Sequence, residues 1–191
     1  MLGFVAETHL ELFMTECRLP KFLTQDIAKQ AVQIAVATLS CPYLLNALKR
    51  QSFHIVVLVP KLEYNNTLTN SGYDANRVIG SVQPHLLYQE TIGDKGIWTG
   101  DYAEMALGKA QQLWLDRQDG GSDITPHLLF PGDVVYWGGV KRQGIVVACS
   151  GIQAYLDRLF SGITADACIA LSYHAWKLHK DGTDGDKDFL D

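Results

Sequence analysis

Few residues in the chain are of a type that does chemistry, and they are widely spaced. The histidines are His9, His54, His85, His127, His174 and His179. No two have the H-x-x-x-H placement of a zinc site, and His174 and His179, five apart, fall off one helix face. His54 and His85 each border an apolar run. Each could serve as a single axial ligand or as a hydrogen-bonded structural histidine. The cysteines Cys17, Cys41, Cys149 and Cys168 form no C-x-x-C pair, which argues against a zinc knuckle or a redox dithiol. Cys149 and Cys168 sit in apolar runs and read as buried, inert thiols, which fits a reducing, cytoplasmic setting.

Ser150 stands where a strand should give way to a helix, the position of a nucleophile elbow. The G-x-S-x-G pattern is absent, because Ala148-Cys149 precede the serine and Ile152 follows Gly151. Gly138-Gly139 has no partner glycine or lysine at phosphate-loop spacing. No catalytic group is therefore assigned. What remains is a corner, Ser150-Gly151, whose backbone N–H groups and hydroxyl could meet a ligand. In the simpler reading Gly151 only supplies a bend. Asp157 could cap a turn, pair with Arg158 or Lys141, or line a pocket at that corner.

The elements that must position these groups are legible around Pro131–Asp157. Val134–Trp137 and Gly144–Cys149 read as two strands of a hairpin, with Gly138-Gly139 and Lys141–Gln143 as the turn. The second strand, Ile145–Cys149, is apolar at every position, as in a strand covered on both faces. Ile152, Tyr155, Leu156 and Leu159 then follow at helical spacing. Upstream, Thr24 caps a helix over about 24–39 with the stripe Ile27, Ala31, Ile34 and Ala35. Leu44, Leu45 and Leu48 suit a further helical turn. Phe53–Val59 is a central strand that Pro60 should stop. A polar loop leads to a second strand at Arg77–Val82, which Leu86–Tyr88 continues or follows. Asp101 and Glu104 open a helix over about 101–117, with Tyr102, Met105, Ala106, Ala110, Leu113 and Trp114 on one face. Thr164 to His179 reads as a separate last helix with a stripe of Cys168, Leu171, Ala175 and Leu178. Residues 1–20 read as an extension, 21–180 as one domain and 181–191 as a disordered acidic tail.

The composition sets the outer bounds. The chain has 191 residues, 47% apolar and 19% charged, enough for one sizeable core. A formal charge of −5 offers no footprint for nucleic acid or an anionic membrane. Glu7 and Glu11 precede the first basic residue, Arg18, so no secretory signal is expected, and no apolar run spans a bilayer.

Pro131-Gly132, Gly144-Ile145-Val146, Ser150-Gly151 and Asp157, together with Lys109-Ala110 and the helix opening at Thr24, resemble the GlcG/HbpS-like family of small haem-binding domains. The resemblance covers about two-thirds of the chain. It implies an α+β fold with an antiparallel sheet flanked by helices, profilin-like, assembled into homo-oligomers. It also implies a small-molecule ligand, with haem the family's own example, held near Ser150, Gly151 and Asp157; the resemblance matches no histidine to a ligand position, and His54 and His85 are candidates only because each borders an apolar run. Tyr88, Trp98, Trp114 and Trp137 could wall such a pocket. An alternative register would put Ser161-Gly162 and Asp166 in the places of Ser150-Gly151 and Asp157. The chain departs from the family where Ala148-Cys149 replaces a glycine-containing run and across 60–95. Those departures favour a second reading, an oligomeric interaction or scaffold subunit that kept the fold and lost the pocket.

Overall fold

The computed structural model describes residues 16–48, 50–64, 81–121 and 125–182. The chain forms the expected α+β arrangement, an antiparallel sheet with helices on both faces. The strands are β1 (Glu16–Arg18), β2 (Phe53–Tyr64), β3 (Ser81–Ile92), β4 (Gly139–Arg142) and β5 (Ile145–Ser150). The helices are α1 (Gln25–Ala37), α2 (Pro42–Leu45), α3 (Tyr102–Trp114) and α4 (Ala154–Gly182). The sheet runs β3-β2-β5-β4, and β1 pairs with the far end of β2 on the side that β5 leaves free.

Alternation along the two central strands divides the core. Phe53, Ile55, Val57 and Val59 of β2, with Ile145, Val147 and Cys149 of β5, pack under α1 and α4. Val56 and Leu58, with Val146 and Ala148, pack under α3. Both faces of β5 are thus covered, and every one of its residues is buried, as its unbroken apolar run implies. Alanines at Ala28, Ala31 and Ala35 of α1 and at Ala106 and Ala110 of α3 let the helix backbones come close. Thr24 caps α1, its Oγ1 accepting from Ile27 N at 3.3 Å. Ile34, expected in the stripe, is instead 46% exposed, and Val32 takes the buried place.

The hairpin is real but its register differs from the expected one. Val134–Trp137 is not a strand. Side chains satisfy its backbone instead: Gln112 Oε1 accepts from Val134 N at 3.0 Å, and Gln118 Nε2 donates to Tyr136 O at 3.3 Å. Strand β4 begins at Gly139, where a Cβ would lie 2.4 Å from Leu113 Cδ1 and 2.9 Å from Val147 O. The turn is Gln143-Gly144, both at positive φ (48° and 82°), the signature of a two-residue hairpin loop.

Pro60 does not stop β2. It faces Pro84 in the ladder with β3 and falls between the stretches of β2 paired to β5 and to β1, where no N–H donor is required. Of the expected second strand, Ser81 and Val82 open β3, Leu86–Tyr88 lies within it, and 77–80 fall outside the described residues. The two expected C-terminal helices are one, α4, of 29 residues. Ser161 does not break it, because its Oγ lies 2.7 Å from the carbonyl of Asp157 one turn back. Thr164, where the separate last helix was expected to begin, is buried in mid-helix, and Leu178 is exposed rather than buried. Of the expected tail, 181–182 end α4 and 183–191 lie outside the described residues.

The Ser150-Gly151 corner joins β5 to α4. Gly151 has φ 133°, and a Cβ there would lie 2.7 Å from Ser52 O and 2.8 Å from Phe53 Cα and Tyr102 Cδ2. No side chain fits that space or that φ. Gly151→Ala is expected to lower unfolding stability by about 3 kcal/mol, from backbone strain and overpacking together. Urea titration checks this, and a loss under about 0.5 kcal/mol would contradict the corner geometry.

Candidate functional site

The site is built where α3, β5 and α4 meet. Asp101 starts α3, its Oδ1 accepting from Ala103 N and Glu104 N at 3.0 Å each. The stripe Tyr102, Ala106, Ala110 and Leu113 then lies on the sheet, and Lys109 falls in the same stripe, 1% exposed. Its ammonium donates to Cys149 O at 2.8 Å and to Asp157 Oδ2 at 3.1 Å. Asp157 sits in the first turn of α4, 4% exposed. Its other oxygen, Oδ1, accepts from Ile152 N at 3.2 Å. Gly138, at φ 129°, closes over the carboxylate: a Cβ there would lie 2.6 Å from Asp157 Cβ.

Both oxygens of Asp157 accept hydrogen bonds and neither donates, which is the pattern of an ionised carboxylate. Burial pushes its pKa up, while the Lys109 ammonium and the Ile152 amide pull it back. Burial also pushes the Cys149 thiol far up, and the Cys168 thiol up to about 12, so neither is a ready nucleophile.

Above the pair lies a cavity of about 320 Å³. Lys109, Asp157, Ser150 and Gly151 form part of its lining. Arg50, Thr99 and Tyr102 supply further polar groups. Met105, Tyr136 and Trp137 supply apolar surface. Arg50 Nη1 donates to Tyr102 Oη at 2.5 Å, and Tyr102 Oη is 2.9 Å from Thr99 Oγ1.

Of the residues singled out from sequence, Ser150, Gly151 and Asp157 come together here, while His54 and His85 do not line the cavity. His54 is buried on β2, its Nε2 donating to Gln89 Oε1 at 3.3 Å and its Nδ1 2.8 Å from Thr91 Oγ1. Burial is the main cause lowering its pKa. His85 pairs with Val59 on β3, on the α1 side of the sheet, opposite the cavity. Haem ligated by either histidine does not fit this site. Of the four aromatic walls expected, Trp137 alone lines the cavity. Trp98 instead donates its Nε1 to Ser52 Oγ at 2.6 Å, and its ring lies 5.0 Å from that of Tyr102. Among the described residues no cluster of three or more His, Cys, Asp or Glu could hold a metal ion.

The alternative register fails on geometry. Ser161 and Gly162 are inside α4, and Asp166 is 60% exposed in an ion pair with Arg142. Asp157 pairs with neither Arg158 nor Lys141, which reaches Asp116 Oδ1 at 2.7 Å. The partner missed as a site residue was Lys109, a charge set in an apolar stripe of period 3.6, and that misfit was the available signal. Arg50, Thr99 and Tyr102 carried no such mark.

No protein-family model, curated protein or solved structure matches the chain. No helix among the described residues is long and apolar enough to cross a membrane.

Three outcomes follow from this geometry. Asp157→Ala leaves the Lys109 ammonium buried without its counter-charge and should cost about 3–5 kcal/mol. Pairing Lys109→Met with Asp157→Leu should cost less than the two single changes summed, and strict additivity in denaturant titrations would count against a coupled pair. His54, with its pKa lowered from 6.5, binds a proton less readily folded than unfolded. Its contribution to stability is complete above pH 6.5 and is lost as pH falls from there towards the lowered folded value. His54→Gln should flatten the slope of stability against pH below about 6.5, and an unchanged slope would contradict a buried neutral ring.

Proposed function

We propose that the chain is a small-ligand-binding domain of the GlcG/HbpS-like kind, without catalysis of its own, and that its ligand sits in the cavity over Lys109 and Asp157. One observation carries the reading. The residues behind the resemblance in three separate segments, Lys109, Ser150-Gly151 and Asp157, converge on the lining of one cavity. A packed core needs no such hole, and its volume lies at the low end for small-molecule sites. The lining offers no group with an activated nucleophile's surroundings, which supports binding over chemistry. The buried free thiols Cys149 and Cys168 support a reducing, cytoplasmic setting.

A second reading is an oligomeric interaction subunit, assembled from copies of the chain. Tyr155 and Leu159, 57% and 40% exposed and one turn apart on the same face of α4, favour it.

Native mass spectrometry of the chain isolated from cells tests the two together. The first reading predicts a non-covalent small molecule that is lost in Thr99→Trp, which plugs the cavity from an exposed position. Retention of the molecule in Thr99→Trp would overturn the cavity as its site. A homo-oligomer carrying no small molecule would favour the second reading.

A further inference from the structure

We propose that the ligand of this cavity is a small organic monocarboxylate, bound between the exposed Arg50 guanidinium and the buried Lys109 ammonium; this rests on the cavity being a ligand site. The polar groups facing it are arranged as donors in want of an acceptor. An ammonium has three N–H donors, and Lys109 gives two of them to Cys149 O and Asp157 Oδ2. The third belongs to a side chain that is 1% exposed and lines the cavity. Asp157, the carboxylate in the lining, is spent: Oδ2 accepts from Lys109 and Oδ1 from Ile152 N.

The Arg50 side repeats the pattern. Arg50 donates to the Tyr102 hydroxyl, which therefore has its own proton to pass to Thr99 Oγ1. That leaves the Thr99 proton as the end of a chain polarised by a cation. A guanidinium also carries five N–H donors in a planar fork, matched to a planar carboxylate.

Charge fixes the valence. Arg50 and Lys109 contribute two positive charges and Asp157 one negative, so the site is balanced by a monoanion. Inorganic phosphate, a mixture of mono- and dianion at neutral pH, matches that balance less well than a monocarboxylate does. The Met105, Tyr136 and Trp137 surfaces suit a short carbon body, and a volume of about 320 Å³ limits its size.

The test uses the full chain, ¹⁵N-labelled, titrated with sodium propionate and sodium pyruvate, with propionamide and inorganic phosphate as comparators. At least one carboxylate should shift the amide signals of Thr99, Gly151 and Ile152 saturably, and at least tenfold more tightly than propionamide or phosphate. Arg50→Met, a change at an exposed side chain that leaves the core intact, should weaken it by roughly tenfold or more. Equal binding of propionamide, tighter binding of phosphate, or no effect of Arg50→Met would overturn the monocarboxylate assignment and leave the cavity as a ligand site. Saturable shifts confined to the α1 face would overturn both.

Discussion

One interaction holds the architecture to its site: the ion pair between Lys109 on α3 and Asp157 on α4, closed through the carbonyl of Cys149 on β5. Removing two charges from water costs several kcal/mol each, and their attraction offsets this only when the remaining hydrogen-bonding capacity is also met. Here the carboxylate is met on both oxygens and the ammonium on two of its three donors. Such an arrangement fixes where three elements must stand. The helix on one face of the sheet is tied to the helix on the other through the end of the strand between them.

That tie explains features that packing alone would not select. Gly138 must lack a side chain because it lies against Asp157, and Gly151 because the chain turns there against Ser52, Phe53 and Tyr102. The amide of Ile152, just past the turn, is placed to bond the carboxylate. The cavity lies beside these close approaches and is lined by the corner, by α3 and by the start of α4. Its walls are consequently rich in donors, since the acceptors nearest to them are consumed in holding the fold.

Much of the fold was legible in the sequence, for definite reasons. Thr24 and Asp101 are good caps, and both helices begin where those caps predict. The apolar run Ile145–Cys149 can be satisfied only between two covering layers. The errors were local competitions. Gln143-Gly144 outcompeted the double glycine as the hairpin turn, because both of its residues take positive φ. The Gln112 and Gln118 amides, distant in sequence, drew Val134–Trp137 out of the sheet. Ser161-Gly162 looks like a break but lies within α4, where Ser161 bonds one turn back. In the site, Ser150, Gly151 and Asp157 were visible as a corner and a following acid. Lys109 was visible as part of the resemblance and as a charge in an apolar stripe, but not as a site residue, and Arg50 and Thr99 are ordinary surface residues until the chain folds.

The most direct test of the central claim is ¹⁵Nζ NMR of the lysine side chains near neutral pH. A buried, paired Lys109 predicts one ammonium signal with slow proton exchange, set apart from the surface lysines and lost in Asp157→Asn. If every lysine signal exchanges as fast as a solvated one, or the slow signal survives that substitution unchanged, the ion pair at the centre of this account is contradicted.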